Sequence, residues 1–526
     1  MWIPNRLEQE RLDKLREIEA RGVAAYPARV QRTHTCAAAI AAYTAAEREA
    51  PAATAPDGGT VPAEGVPSIT VIVTGRIRRQ NIKGKVAFMH IEDESGRIQL
   101  FLRINDMDAA VYQLVADKLI EVDDYVQAAG TLMRTQAGEI SVRVTDFHLL
   151  SKSLSPLPVI KQAKQDDGTI IEYGEFTDVE ARYRQRYADL AVNGTVRDVF
   201  KKRAGVLRAI RDFLDQENFL EVETPVLQPL YGGAAARPFV THHNQLGQDL
   251  YLRISFELYL KRLIVGGYDA VYEIGRDFRN EGVSFKHNTE FTMLEFYKAY
   301  IDYQDVMNLT ERMVAHAAQR VLGTTDIHYQ GKLIHLAPSW ARITMRDAIR
   351  QYAEIDYMEY RDRDALEAAI RAMNDSRNAE LRPGQPWGKL VEHLLGEFVE
   401  PHLVQPTFIL DYPMDISPFA KRVSYDDVHV ERFEFYINGM EFGNAFTELN
   451  DPRDQEQRFI EMAKLFRADD DDAAPLDEDY LRAMRYGMPP MGGFGMGIDR
   501  LVMLLTDQRT IRDVLLFPHL KAEQPG

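Results

Sequence analysis

At 526 residues the chain is long enough for two or more domains with sizeable cores. Hydrophobic residues make up 45% and charged ones 27%, the balance of a soluble globular protein, and no apolar run reaches the length of a membrane span. The net charge of −17 argues against indiscriminate nucleic-acid binding, and a single cysteine, Cys36, excludes an intramolecular disulfide framework or a thiolate zinc cluster.

The N-terminus is charged and lacks the apolar core of a signal peptide, so a cytoplasmic location is expected. Residues 5–21 carry Leu7, Leu12, Leu15 and Ile18 at helical spacing. From Cys36 to Pro67 the composition falls to Ala, Pro, Thr and Gly. Its Ala run has helical character and its Pro/Gly part reads as a flexible insertion, so residues 1–66 are assigned to a helix plus insertion.

Residues 67–152 change character. Five strand-like runs (ITVIVTGRI, KVAFMHIED, RIQLFLRI, DYVQAAGTLM, ISVRVTDFHLL) and a helical piece at Met107–Leu119 predict an OB-type barrel. Its first half is basic, with Arg76, Arg78, Arg79, Lys83, Lys85, Arg97 and Arg103. Phe88 and Gln99 among these cations suit base stacking and base reading on single-stranded nucleic acid, together with Arg76. A Phe88 buried in the barrel core is the equally weighted alternative.

Residues 153–178 read as a linker, and residues 179–526 as one large α+β domain. Its first landmark is a helical run at Val199–Gln216, followed by ENFLEVETPVLQ, which reads as a helix end, a short strand and Pro225. The stretch YGGAAARPFVTH and the helix ELYLKRL come next. Arg276–Tyr297 then reads as two strands joined by a polar loop holding Arg279, Asn280, Glu281, Gly282, Lys286, His287 and Asn288. Side chains two apart share a strand face, which aligns Phe291, Glu295 and Tyr297. A surface hairpin with solvated charges is the blander alternative.

Residues 300–400 look mostly helical and read as scaffold without a catalytic motif. In ERFEFYINGMEFGNAFTELND the pair Asn438-Gly439 signals a tight hairpin turn. That turn sets Tyr436 against Glu441 and Glu434 against Gly443, and leaves Glu434 and Glu441 as diagonal neighbours on one face. Two carboxylates that close repel, and a divalent cation between them would relieve the repulsion. A bulge at Gly443 would bring Asn444, Phe446 and Glu448 to the same side as Glu441. Asp469–Asp472 reads as a solvated loop. GGFGMGIDRLVMLL reads as a glycine strand entering a helix, with Arg500 in its first turn, a combination suited to polyphosphate.

The pattern FRNE, a spacer, then HNTEFT resembles motif 2 of the class II aminoacyl-tRNA synthetases. ENFLEVETP resembles motif 1 and GGFGMGIDR motif 3, in the right order. With GGA-x-ARPF-x-TH and ELYLKRL, residues from about Pro67 to Phe517 resemble the lysyl-tRNA synthetases. Three positions depart from that family's pattern: Ser255-Phe256 before Glu257, Thr289 before Glu290, and Gln80-Asn81 after the Arg78-Arg79 pair.

The resemblance implies an OB-type anticodon-binding barrel, a catalytic domain on an antiparallel sheet, and a homodimer formed through motif 1. It implies L-lysine, ATP and tRNA(Lys) as substrates, with Mg2+. Arg279, Glu281 and Arg500 take the catalytic role, and His287, Asn288 and Phe291 join them at ATP, with Glu434 and Glu441 as metal ligands. Gly233, Glu257, Glu295, Tyr297, Asn444, Phe446 and Glu448 line the lysine pocket. Three alternatives stand beside this reading: an aspartyl- or asparaginyl-tRNA synthetase, a catalytically dead relative, and one that lysylates protein. Three glutamates in the pocket favour an ammonium substrate over a carboxylate.

Overall fold

Asn5 caps the first helix, α1 (Arg6–Ala20), in a reciprocal box with Glu8. The helix α2 (Cys36–Glu49) takes up the Ala run, in which the sequence showed helical character. Cys36, Ala39 and Tyr43 are buried at helical spacing, and barrel side chains satisfy the helix's first amides: Cys36 N donates to Asp93 Oδ2 (2.9 Å) and Ala37 N to Ser95 Oγ (3.0 Å). The computed structural model describes residues 2–49, 66–158, 161–164, 170–173, 176, 178–373, 375–382, 384–465 and 476–522. The Pro/Gly part of the insertion and the acidic run Asp469–Asp472 lie outside them. The chain divides into two units, Met1–Glu175 and Phe176–Gly526.

In the first unit the strands β1 (Thr70–Lys83), β2 (Val86–Asp93), β3 (Gly96–Arg103), β4 (Tyr125–Arg134) and β5 (Ile140–Ser151) close a barrel in the order β1-β2-β3-β5-β4. Period-two burial of Val71, Val73 and Ile77 and of Ala87, Met89 and Ile91 fills its interior. The helix α3 (Ala109–Ala116), capped by Asp108, connects β3 to β4. The segment read as a linker holds an antiparallel strand pair, Lys161–Lys164 with Ile170–Tyr173.

Among the described residues, the second unit's main sheet has eight strands. Their order is Ala341–Thr344, Thr407–Pro413, His429–Ile437, Met440–Thr447, Met491–Gly497, Glu290–Ala299, Ala270–Phe278 and Leu220–Glu221. Pairing is antiparallel through the centre and parallel at both edges, so the sheet is mixed. Ala341–Thr344 also corrects the expectation of helix there; its residues pair with Thr407–Leu410 before the chain turns helical at Met345. The helices Gly194–Gln216, Tyr303–Leu322 and Ile498–Leu505 form the main core against this sheet, burying Val206, Ile210, Phe213, Val306, Val314, Leu501 and Val502. Tyr303–Leu322 starts at an Asp302/Asp305 capping box and stops at left-handed Gly323 (φ 76°).

Candidate active site

Ala270–Phe278 and Glu290–Ala299 pair with Phe278 opposite Glu290 and Glu273 opposite Glu295. The polar loop between them is tied at its base by Arg279 N donating to Thr289 O (2.9 Å). The Arg279 guanidinium lies 5.2 Å from the Phe291 ring centroid, so a cation and an aromatic face meet at the mouth of a cavity of about 480 Å³. Glu281, His287 and Asn288 line the same cavity. His287 Nδ1 meets Ser284 Oγ at 2.8 Å, and Asn288 Nδ2 donates to Glu290 O (2.6 Å). Burial against the protein, then the cations Arg500 and Lys286, push His287 down to about 4, so it is neutral at physiological pH.

On the opposite wall, Asn438 (φ 51°) and Gly439 (φ 72°) both adopt the left-handed conformation of a tight hairpin turn. Tyr436 faces Glu441, as the sequence predicts, but Glu434 faces Asn444 and Gly443 faces Phe435. The extra residue is Phe442, one place before the anticipated bulge at Gly443. Both Phe442 and Gly443 turn into the core, and Glu441, Asn444 and Phe446 then share the cavity face. A methyl group at Gly443 would lie 2.6 Å from Gly495 O, which explains why glycine follows the bulge.

Glu434 is not the unpaired carboxylate the sequence suggested. It accepts from Arg432 Nη2 (2.7 Å), Tyr412 Oη (2.9 Å) and Tyr436 Oη (2.5 Å). Burial, then the Glu441 charge, raise its pKa. Glu441 is 40% exposed and holds Arg500 both through its carboxylate (3.2 Å) and its carbonyl (2.5 Å). Among the described residues no three His, Cys, Asp or Glu side chains converge as a metal cage. Two carboxylates without a cage still fit Mg2+, which is usually held by one or two carboxylates, several waters and a substrate's phosphates.

The inner end of the cavity is acidic. Ser255 Oγ (2.8 Å) and Tyr297 Oη (3.2 Å) donate to Glu295, whose pKa is raised well above the ordinary range by burial and then by Asp277 and Glu257. Gly233 (φ 85°) borders this end with Glu257; a side chain there would be strained and would press on Ser255 Oγ at 2.9 Å.

Glu448 continues the alternation of Asn444 and Phe446, its N donating to Met491 O (2.9 Å) one step past the Thr447–Gly492 pair. Its side chain is fully buried behind the cavity wall and paired with Lys261, a buried cation that also binds Glu257 Oε1 (2.5 Å). Glu448 Oε1 has no hydrogen-bond partner among the described residues and lies under Gly493, beside the Tyr297 ring.

Sequence reading missed several lining residues. Lys389 and Glu392 come from helix Trp387–Leu394, inside the segment read as scaffold. Arg432 joins Asn444 Oδ1 (2.9 Å), Ser417 Oγ (2.7 Å) and Glu434. Glu400, pushed up to about 7 by burial despite Lys286, adds to the negative field at Glu434 and Glu441. Only the E-F-x-N-x-F pattern hinted at a partner such as Arg432, since an acid and an amide on one face invite a cation.

On the barrel of the first unit, Phe88 lies outside the core: it alternates with buried Ala87 and Met89 and packs on Phe101 with ring centroids 5.2 Å apart. Gln99 is buried instead. Its amide donates to Glu139 Oε2 (2.6 Å) and accepts from Ser141 Oγ (2.7 Å). Arg76 stacks on Tyr125 at 4.5 Å. The basic stretch is partly neutralised, because Arg78 and Arg97 share Glu92 while Arg103 and Arg143 share Asp106.

Residues 178–521 match the family described as tRNA synthetases class II (D, K and N), and residues 71–150 match the OB-fold nucleic acid binding domain. A lysine–tRNA ligase of Roseiflexus castenholzii is 50% identical over 99% of both chains, and one of Chloroflexus aurantiacus is 49% identical over 98% of both. A third, of Pelotomaculum thermopropionicum, is 46% identical over 99% of this chain and 96% of its own. With its closed OB barrel and a motif 1–2–3 sheet around an acidic and cationic cavity, the chain belongs to the class II tRNA synthetases of this D, K and N family, among the lysine–tRNA ligases.

Proposed function

We infer that this chain activates L-lysine with ATP and transfers it to the 3′ end of tRNA(Lys). The observation that carries the reading is one cavity whose lining combines a cationic and aromatic group with an acidic and phenolic one. Arg279, Phe291 and Arg500 offer cations and an aromatic face at one end, while Glu257, Glu295 and Tyr297 offer acids and a phenol at the other. A lysine side chain spans such a gap, its carboxylate toward Arg279, its α-ammonium toward Glu257 and Gly233. Its ε-ammonium reaches Glu295, Tyr297 and the unpartnered oxygen of Glu448, with Asn444 and Phe446 along its body.

The nucleophile is the substrate's own carboxylate. One of its oxygens bonds the α-phosphorus of ATP while the bond to the bridging oxygen breaks and pyrophosphate leaves with that electron pair. The enzyme therefore has to position and to neutralise. Arg279 holds the lysine carboxylate and the α-phosphate together, and Arg500, fixed by Glu441, meets the terminal phosphate. Phe291 stacks on adenine, with Glu281, neutral His287 and Asn288 around it. Glu434 and Glu441 would hold Mg2+, which supplies charge neutralisation at the phosphate oxygens. In the second step the terminal ribose hydroxyl attacks the lysyl carbonyl and AMP departs. Arg76 and Phe88 mark the barrel face that reads the anticodon, and Gln99 lies beneath it with its amide engaged by Glu139 and Ser141.

The acids at the inner end disfavour an aspartyl or asparaginyl substrate, whose side chain needs cations or amide donors. Pyrophosphate exchange assayed with each amino acid in turn tests the reading: exchange should require lysine, and exchange driven by aspartate or asparagine would overturn it. A homodimer is proposed through the strands Leu220–Glu221, Leu227–Gln228 and Val240–His243. There Leu220, Val226, Leu227 and Val240 are each at least 39% exposed beside an open sheet edge. Light scattering at micromolar concentration should give twice the chain mass. A cytoplasmic location follows from substrates found there; no described helix is long and apolar enough to cross a membrane.

A further inference from the structure

Lys261 stands in the acidic end without a part in holding lysine or ATP. It sits on helix Glu257–Val265, fully buried, between Glu257 Oε1 (2.5 Å) and Glu448. Aromatic faces wall it on three sides, with ring centroids of Tyr297, Phe419 and Phe446 at 5.7, 4.7 and 5.3 Å. The charged and titratable groups around it are Glu257 on its own helix, Glu448 beyond the strand Met440–Thr447, Tyr297 on the motif 2 strand, and Tyr480 on helix Glu478–Arg485. That setting is an ammonium site already filled by an ammonium. Its surroundings hold Lys261 above its ordinary pKa, so its charge is permanent.

We propose that Lys261 is a specificity-determining positioning residue that sets the charge of the amino-acid pocket to the value one diamino acid neutralises. Glu257, Glu295 and Glu448 bring three carboxyl groups, and Glu295, whose pKa burial raises, ionises when an ammonium enters beside it. Lys261 cancels one, and the two charges left match the α- and ε-ammonium groups of a single lysine, while the substrate carboxylate matches Arg279. Without a resident cation the pocket would hold an unbalanced buried charge, which a carboxyl relieves by taking up a proton and losing its grip on an ammonium. Lys261 also draws one oxygen of Glu448 back, leaving Oε1 under Gly493 as the free acceptor. The proposal rests on the cavity being the lysine site.

Two measurements by pyrophosphate exchange test it, neither of which a purely structural strut would reproduce. In Glu448→Gln the pocket keeps Lys261 but loses a carboxylate, so Lys261 now repels the substrate's ε-ammonium. Lysine KM should rise by about a hundredfold with ATP KM within twofold. Adding Lys261→Met to that variant removes the repulsion and restores the charge count, so lysine KM should fall back by about tenfold. The same Glu448→Gln protein should also use norleucine, which lacks the ε-ammonium, with an absolutely lower KM than the parent protein does. A double variant no better than the single one overturns the proposal, as does a norleucine KM that fails to fall. If the parent protein shows no lysine-dependent exchange, the lysine-site reading fails instead.

Discussion

The two ends of the cavity both gather glutamates, yet they handle them in opposite ways. At the inner end Glu257 and Glu448 are buried, walled by aromatic rings and balanced by one lysine, with Glu448 fully out of solvent. At the outer end Glu434 and Glu441 are balanced by guanidiniums and phenols, and Glu441 is 40% exposed. A buried ammonium pays a large desolvation cost that only a dry, charge-matched pocket repays, so the inner end is closed and counted. A hydrated cation arriving with phosphates brings its own ligands, so the outer end stays open and needs no cage.

The sharpest break of that contrast is a single methyl group. Gly493 lies on the inner wall, and a Cβ there would overlap Glu448 Oε1 and sit 2.6 Å from Tyr297 Cε1. Both neighbours are buried and cannot withdraw freely. Gly493→Ala should raise lysine KM by about two orders of magnitude, roughly 2.7 kcal/mol of lost substrate binding, from overpacking alone. ATP KM should stay within about threefold. Equal damage to both KM values would mean that the two ends are one mechanical unit and the contrast is empty.

At the outer end, Glu434→Gln and Glu441→Gln should each slow adenylate formation by about a hundredfold through lost phosphate-side neutralisation. They should differ in stability. Glu441 is part-exposed, so its variant should melt as the parent does and recover partly at raised magnesium. Glu434 takes three buried donors, so its variant should also melt lower, by an amount equivalent to about 1–3 kcal/mol for a disturbed charged hydrogen-bond network. Full activity of both variants at low magnesium would remove them from the phosphate site.

The difference between the two ends also marks what the sequence made legible. Asn438-Gly439, the motif 2 loop and the glycine strand were readable because turn chemistry and alternation are local properties of a few residues. The bulge was anticipated one residue late, since Phe442 and Gly443 both fit a bulge locally and only packing against Phe435 and Gly495 decides. Alternation carried Glu448 onto the face of Asn444 and Phe446, but not the depth at which its side chain meets Lys261. The Lys261–Glu448 pairing was out of reach, because Glu448 comes from a distant segment and a lysine in ELYLKRL, four residues after Glu257, reads as one half of a surface helix pair. On the barrel, alternation placed Phe88 among candidates for the outer face but could not choose between face and core.

Phe88 supplies a control that should leave both ends of the cavity untouched. Because its ring is outside the barrel core and already tilted against Phe101, Phe88→Ala should weaken tRNA charging by ~1–3 kcal/mol, the cost of one lost base stack. Lysine-dependent exchange without tRNA should be unchanged within twofold. A matching loss in both assays would mean that the variant unfolds the barrel and that Phe88 stacks on nothing but Phe101.

The smallest expected effect belongs to His287, a histidine lining the outer end. Its folded pKa, about 4, lies below the ordinary 6.5, so the neutral form is the one the fold prefers. Above pH 6.5 both folded and unfolded chains carry it neutral and it contributes no pH dependence. Between 6.5 and 4 the unfolded chain takes up a proton that the folded chain refuses, so stability declines as the pH falls through that window. The residue is exposed by surface area although the loop packs around it, and solvent screening holds the penalty to about 1 kcal/mol or less. His287→Asn should therefore narrow the drop in Tm between pH 7.5 and pH 5 by a degree or two and leave Tm above pH 7 alone. ATP should act in the same direction, because polyphosphate beside Arg500 offsets the cations that depress His287 and lets it accept the proton. The parent protein, but not the variant, should then bind ATP slightly tighter at pH 5.5 than at pH 7.5, relative to any general trend shared by both. Calorimetric titration at the two pH values decides it: identical pH dependence in the two proteins would show that His287 does not feel the phosphate end at all.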